Sequence, residues 1–388
     1  MDPRQFTERA SGRLVRTTGG YLAFVPKPLP PALRWSSPLI GLLSKADHAL
    51  GELAGIGRTL PNPHLLIVPF IRREAVLSSR IEGTRASLSD LYAYEAVQIP
   101  LFNTPPDVRE IFNYVRALEY GLSRLEDLPV SLRLIRELHA LLLEGVRGQH
   151  RKPGEFRNEQ NWIGPSGCTL EEATFVPTPV EELHPALGEL ERFLHRPSDI
   201  PALVRLGMIH YQFEAIHPFT DGNGRIGRLL ISLLLCAWDL LPQPLLYLSA
   251  YFEAHRQEYY DLLLTVSQRG GWEEWIGFFL KGIASQAMDA ILRSYRLQDL
   301  RREYRERFQN RRTAARLLQA VEHLFEFPVF TVKQMAAALG VEFGVANRYV
   351  RQLEAEVVIR EITGRKRNRM YQADEIIRTI ERPLDKEP

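Results

Sequence analysis

Twelve consecutive residues, His217-Pro218-Phe219-Thr220-Asp221-Gly222-Asn223-Gly224-Arg225-Ile226-Gly227-Arg228, place an imidazole, a carboxylate, two guanidinium groups and a Gly-Asn-Gly triplet between two apolar helical runs. The first run ends near Ile216, and the second presents Leu229, Leu230, Leu233 and Leu234 on one face. Gly222 and Gly224 admit backbone conformations closed to other residues and let a ligand approach the chain. Unpaired N–H groups in the first turn of the second helix attract anions. Arg225 and Arg228 add positive charge in a geometry suited to phosphate. Asp221 is a hard oxygen ligand suited to Mg²⁺, and His217 can accept a proton near neutral pH. Taken singly, each has a plainer reading. A glycine-rich loop before a helix is often a tight turn, a histidine there is often a cap, and surface arginines form ion pairs worth ~0–1 kcal/mol. Their conjunction within twelve residues favours a phosphate cradle with a base and a metal ligand.

The rest of the chain reads as mainly α. Apolar residues recur at helical spacing over 38–53, 65–91, 107–125, 131–143, 201–216, 225–238, 250–267 and 272–300. Residues 1–35, rich in Pro, Gly and Arg, read as an extended arm with little structure of its own. The turn-rich segment 151–180 carries two short apolar stretches and predicts a small hairpin. Domain boundaries follow: an arm (1–35), a helical region (36–125), a catalytic domain (126–285), a linker helix (286–310) and a C-terminal unit (311–388). That last unit is basic, with 15 Lys and Arg against 8 Asp and Glu over 301–369.

Whole-chain numbers exclude other classes. At 388 residues and 45% hydrophobic, the chain has material for a real core. A net charge of only +2 gives no global signal for polyanions or membranes. The two cysteines, Cys168 and Cys236, match no metal-ligand spacing and suggest a reducing compartment. No signal-peptide core stands at the N-terminus, and the longest apolar run is far too short for a membrane span. A cytoplasmic protein is expected.

The loop resembles the signature of the Fic (Fido-fold) family, His-Pro-Phe-x-Asp/Glu-Gly-Asn-Gly-Arg-x-x-Arg, and matches every specified position. The resemblance runs over roughly 35–285. It implies a helical Fic fold with a β-hairpin flap, and transfer of AMP from ATP to a Tyr, Thr or Ser hydroxyl of a protein, the chain itself included, with release of pyrophosphate. It implies His217 as general base, Phe219 as loop anchor and Asp221 as the Mg²⁺ ligand. Gly222, Asn223, Gly224, Arg225, Ile226, Gly227 and Arg228 would form the ATP site, Arg225 and Arg228 gripping the β- and γ-phosphates. A phosphorylating relative carries Lys near the second glycine, so Gly224 favours AMP transfer.

Ser78-Ser79-Arg80-Ile81-Glu82-Gly83 reads bottom-up as a helix end with Gly83 as stop. Glu82 near that C-terminus is electrostatically unfavourable unless a cation answers it. The run is similar to the family's inhibitory helix, Ser/Thr-x-x-x-Glu-Gly/Asn. That likeness implies that Ser78 and Glu82 restrain the site and that Glu82 pairs with Arg228. The hairpin within 161–179, preceded by Gly154-Glu155-Phe156-Arg157, is similar to the family flap, whose edge aligns a protein substrate. Of Tyr259 and Tyr260, the resemblance points to Tyr260 as a residue on adenine. Trp272 and Trp275 are expected in the core.

The C-terminal unit resembles a winged helix-turn-helix. Helices start at Thr331 and Val345, and two short strands flank a basic tip, 364–369. DNA through 331–372, with Asn347, Arg348 and Arg351 in a groove, and protein contact or dimerisation are equal alternatives, and a homodimer would be able to gate the inhibitory helix. Two further readings of the whole stand beside AMP transfer: removal of AMP at the same site, with Glu82 activating water, and a DNA-binding regulator whose Fic domain senses nucleotide.

Overall fold

Apolar residues at 3.6-residue spacing form helices through most of the chain. In the computed structural model the described residues are 1–388 except 60–62, 98–104, 147–149, 151, 166, 312–313, 366 and 382–388. Ser166 of the flap and Lys366 of the basic tip therefore lie outside the described residues.

After a 3-10 turn (Pro3–Gln5), strands β1 (Gly12–Arg16) and β2 (Leu22–Pro26) form an antiparallel hairpin. Eleven helices follow among the described residues: α1 (Ser37–Thr59), α2 (His64–Ile81), α3 (Leu88–Val97), α4 (Pro106–Arg124), α5 (Leu132–Leu142), α6 (Val180–His195), α7 (Ala202–Ile216), α8 (Asn223–Ala237), α9 (Ser249–Ala254), α10 (Arg256–Arg269) and α11 (Trp272–Phe308). The C-terminal unit runs α12 (Ala314–Glu326), β3 (Val329–Thr331), α13 (Val332–Leu339), α14 (Phe343–Ala355), β4 (Arg360–Glu361), β5 (Met370–Gln372) and α15 (Asp374–Glu381). Its strands pair antiparallel in the order β3-β5-β4.

Helix α8 is buried on nearly every side, with Ile226, Leu229, Leu230, Ile231, Leu233, Leu234 and Leu235 all in the core. A helix apolar all round belongs at the centre of a fold. It packs against α7, α4, α5 and α2. Truncating such a side chain, Leu233→Ala for example, costs ~2–5 kcal/mol. The loop therefore leads into a helix fixed by core packing on nearly every side.

Several boundaries differ from the sequence reading. The run 65–91 divides into α2 and α3, because Gly83 takes φ +99 where most residues are strained. The run 250–267 divides at His255 into α9 and α10. Helix α6 begins after Pro179 and contains Pro185, a residue that hid its periodicity. The 37-residue α11 continues without a break from Trp272 through the expected linker, packing along α1.

The first 35 residues are not a structureless arm. The β1–β2 hairpin buries Ala23, Phe24 and Val25. Phe24 N–H donates to the Val176 carbonyl at 2.9 Å, and Phe175 bridges to Ile163 on its other side. The N-terminal hairpin thus backs the flap through this hydrogen bond and the packing of Phe24. Phe24 packs on Phe6 and Phe175, at centroid distances of 5.6 and 5.5 Å. The buried side of β2 has no visible reason in the local sequence, because the Val176 carbonyl it meets lies about 150 residues away.

The C-terminal unit shares the core of the bundle. Helices α12 and α15 pack on α2, and β3 packs on α3. Its α13 starts with a capping box formed by Thr331 and Gln334 and stops at Gly340 in the left-handed region.

Candidate active site

Helix α7 ends by placing His217 in the left-handed region, φ 53 and ψ 62. This turns the chain sharply into the loop. Gly222, at φ +79, turns it again into α8. Phe219 between them is fully buried and stacks on the His139 ring at 3.7 Å, the rings 7° from parallel. The expected loop anchor is where the sequence put it.

The loop carbonyls are drawn away from the turn by donors behind it. His139 Nε2–H donates to the Asp221 carbonyl at 3.0 Å, while its Nδ1 accepts from Gly154 N–H at 2.9 Å. Burial drops the His139 pKa to about 4, consistent with one nitrogen donating and the other accepting. Asn161 and Asn223 side-chain amides both donate to the Phe219 carbonyl, at 2.8 and 2.7 Å. Asn223 Oδ1 accepts from Phe219 N–H at 2.8 Å. The Asn223 side chain is therefore a brace inside the loop, and only its backbone is left for an anion. Ile226 also departs from the sequence expectation. Its side chain is fully buried and its N–H donates to the Gly222 carbonyl, so neither is available to a ligand. Gly227 packs against Glu214 and His210 instead.

His217 Nδ1 lies 3.2 Å from the Glu214 carbonyl. A carbonyl only accepts, so Nδ1 carries the proton and Nε2 keeps a free lone pair. Burial, reinforced by the Arg157 charge, lowers the His217 pKa to about 4, against opposing contributions from the Glu214 carbonyl, Glu82 and Asp221. The imidazole is neutral at pH 7 and able to take a proton.

Two arginines flank this histidine. Arg225 pairs with buried Glu110 of α4 at 3.2 Å and with Asp221 at 3.5 Å. Arg228 is almost wholly buried. Its Nε–H donates to Ser78 Oγ at 2.8 Å, and NH2 donates to the Ser78 carbonyl at 3.0 Å and to Glu82 Oε1 at 2.7 Å. The cation that Glu82 requires at the end of α2 is this one. Burial alone would raise the Glu82 pKa, but the Arg228 charge and hydrogen bond, with Arg225 and His217, hold it below the ordinary carboxylate value. Burial would lower the Arg228 pKa, and Glu82 more than offsets it.

Gly224 lies directly under this pair. A Cβ there would stand 2.4 Å from Glu82 Oε1 and 2.9 Å from Arg228 NH1. The carboxylate of Glu82 thus sits over the first turn of α8, where the free N–H groups of the helix start attract negative charge. Nearby, Tyr260 is 39% exposed with Arg256 over its ring, whereas Tyr259 is buried and bonds His210 Nε2 at 2.8 Å. Trp272 and Trp275 are in the core as expected.

Sequence reasoning missed His139, His210, Glu110 and Asn161. His139 and Glu110 occupy core-facing positions of amphipathic helices, where polar residues need partners, and that was the available signal. Glu214 was missed as well. It lies one turn before His217, and burial lifts its pKa to about 8.

Residues 40–123 match the Fic/DOC family N-terminal region, and residues 129–235 match the Fic/DOC family. The chain is 32% identical over 129 residues to Protein adenylyltransferase Fic of Drosophila virilis, covering 32% of this chain and 24% of that protein. It is 30% identical over 139 residues to the protein of that name from Aedes aegypti, covering 36% and 25%. It therefore spans about a quarter of the length of these relatives. In fold it is similar to a Fic family protein from Desulfovibrio desulfuricans G20, with TM-score 0.57, 18% identity and coverage of 89% and 98% of the two chains. It is also similar to residues 134–508 of Fic-1 from C. elegans, with TM-score 0.52, 22% identity and coverage of 66% and 74%.

Proposed function

We propose, from its matches to the Fic/DOC family over residues 40–123 and 129–235, that the chain is a protein adenylyltransferase held in check by its own Glu82. The observation that carries this reading is the Glu82–Arg228 pair lying over Gly224, beside a neutral His217.

The chemistry follows from the residues. A target hydroxyl beside His217 Nε2 gives up its proton to the imidazole as its oxygen attacks the α-phosphorus of ATP. The bond to the β-phosphate oxygen breaks, and pyrophosphate leaves. The Gly222 N–H is taken by Asp221 Oδ1 at 2.6 Å, so the N–H groups of Asn223, Gly224 and the first turn of α8 would face the phosphates, and Arg225 would balance their charge. Acceleration comes from positioning and from fixed charge that needs no reorganisation. Asp221 has a partly exposed carboxylate and fits Mg²⁺, an ion usually held by one or two carboxylates together with substrate phosphates. Bound there with the nucleotide, Mg²⁺ would neutralise phosphate charge. Among the described residues no cluster of three or more His, Cys, Asp or Glu side chains stands ready to hold a metal alone. Tyr260, exposed beside the Arg228 end of the site, is the aromatic we assign to the adenine.

Restraint follows from Glu82. It takes the guanidinium that the γ-phosphate needs, and it puts a negative charge where that phosphate would lie. The protein substrate would align along the flap, 161–179, using main-chain hydrogen bonds at the Ile163 side, since β2 covers the other side. Removal of AMP by hydrolysis, with Glu82 activating water, is disfavoured by the same ion pair, because a carboxylate below its ordinary pKa is a weak base.

The test uses the Glu82→Gly protein and ATP labelled on either the α- or the γ-phosphate. Label from the α-phosphate alone should join protein, and His217→Ala should abolish it. Transfer of γ-label, or of none, would refute the reading.

A second partner class is favoured by one observation. Arg348 and Arg351 of α14, and Arg365, Arg367 and Arg369 of the basic tip, are all exposed. This suits a phosphate backbone. Binding of a duplex that weakens steeply with salt supports a DNA role, and a shallow salt dependence removes it. No described helix is long and apolar enough to cross a membrane.

A further inference from the structure

Arg157 is buried to 4% exposure, and among the described residues it makes no ion pair with a carboxylate. A buried guanidinium without a counter-ion has to find its compensation in hydrogen bonds. Arg157 finds it entirely in backbone carbonyls. Its Nε–H donates to the His217 carbonyl at 2.9 Å, and NH2 donates to the carbonyls of Thr178 and, at 3.4 Å, Ile216. NH1 donates to the Glu159 carbonyl at 3.2 Å, and the Arg157 main-chain N–H donates to the Pro218 carbonyl at 2.9 Å. Three consecutive loop carbonyls, 216 to 218, are therefore taken by one residue. Of the remaining two acceptors, Glu159 lies just before the flap and Thr178 near its far end.

We propose that Arg157 is a positioning residue for His217, holding its left-handed backbone in place and fixing the register of the flap against the loop. The proposal rests on the AMP-transfer reading and adds a residue that it does not include. The physical need is specific. A non-glycine residue in the left-handed region stores ~1–3 kcal/mol of strain, which persists only where neighbours over-determine it. The Arg157 fork pins the carbonyl of that strained residue and the one before it, and the Arg157 main-chain N–H holds the one after. It also links the base to the flap along which the target would align. Base and nucleophile are then located by one rigid group, where a displacement of about 1 Å costs roughly a hundredfold in rate. Lysine cannot replace it, because a single ammonium does not match four carbonyls spread around a plane.

The charge acts on the same imidazole. The groups facing His217 are Arg157 from the segment leading into the flap, Glu82 from α2, Asp221 from the loop and the Glu214 carbonyl from α7. Of these, only Arg157 disfavours protonation.

The experiment compares Arg157→Lys and Arg157→Gln in the Glu82→Gly protein. Readouts are kcat and KM for Mg-ATP, and titration of His217 by NMR with isotope-labelled histidine. Both variants should lose about tenfold to a hundredfold in kcat, with KM for Mg-ATP little changed. His217 should titrate at distinctly higher pH in Arg157→Gln and stay near its parent position in Arg157→Lys. A merely structural arginine would lower thermal stability and leave the titration of His217 unmoved. The proposal is overturned if both variants keep the parent kcat, or if Arg157→Gln leaves the His217 titration in place. Should Glu82→Gly take up no AMP, the proposed function fails, while the titration still decides the role of Arg157.

Discussion

Glu82 Oε1 lies 2.7 Å from Arg228 NH2, and it is the nearest atom to the point where a Cβ on Gly224 would stand. A single carboxylate oxygen therefore engages the loop's last arginine and lies over the first turn of α8. Arg228 keeps its two bonds to Ser78, so removing Glu82 frees one side of the guanidinium without releasing the residue.

The pH dependence of the restraint follows from the direction of the Glu82 shift. Its folded pKa is below the ordinary carboxylate value, so the ion pair contributes fully above that value and is lost only as pH falls through the folded one. We expect self-labelling of the wild-type protein to stay low from about pH 5 to 9, with no release at the acid end of that range. Labelling measured across this window checks it, and a rise near pH 6 would contradict the pairing.

Gly224→Ala probes the cradle itself. The added methyl group would meet Glu82 Oε1 at 2.4 Å and Arg228 NH1 at 2.9 Å. In the Glu82→Gly protein the first clash is gone, yet the methyl still projects where phosphate oxygens would come. Affinity for Mg-ATP, measured by calorimetry, should fall about tenfold or more, equivalent to ~1.4 kcal/mol. Thermal stability should hold, because alanine is favoured over glycine in a helix.

Much of this was legible in the sequence, and the reason is locality. The loop residues lie side by side, so their joint chemistry is visible before any folding is known. Glu82 was legible as a carboxylate at a helix end in need of a cation, although it is 146 residues from Arg228. What stayed hidden depends on contacts set by the fold. The hairpin 12–26 acquires its meaning from Val176, and His139 and Arg157 acquire theirs from carbonyls whose directions only the folded loop defines. Asn223 was placed among the ligand contacts because its side-chain orientation cannot be read from spacing.

Glu74 of α2 carries a stability prediction. It is fully buried and accepts hydrogen bonds from Ser249 Oγ and from Tyr114 OH. Burial raises its pKa to about 7, partly opposed by those bonds and by Arg228. An acid whose folded pKa is raised contributes stability below its unfolded pKa and loses it as pH rises through the folded one. The advantage of Glu74→Gln over wild type should therefore grow between about pH 4.5 and 7, up to an upper limit of ~3 kcal/mol. Urea unfolding of both proteins across that range tests it. A constant difference at every pH would show that Glu74 titrates normally.

The contact between the N-terminal hairpin and the flap predicts a separate effect. Phe24 is fully buried against Phe6 and Phe175. Phe24→Ala should destabilise the protein by ~3–5 kcal/mol. In the Glu82→Gly protein it should also weaken target labelling more than ATP binding, because the flap loses its backing while the loop keeps its own. Equal loss of both, or of neither, would show that the hairpin does not support the flap.

The restraint by Glu82 is the central claim, and intact-mass analysis tests it most directly. Wild-type and Glu82→Gly proteins are incubated side by side with Mg-ATP. We expect the wild-type mass to stay unchanged and the variant to gain the mass of one or more AMP groups. Equal masses in the two samples, modified or not, would contradict the assignment of Glu82 as the residue that holds the site in check.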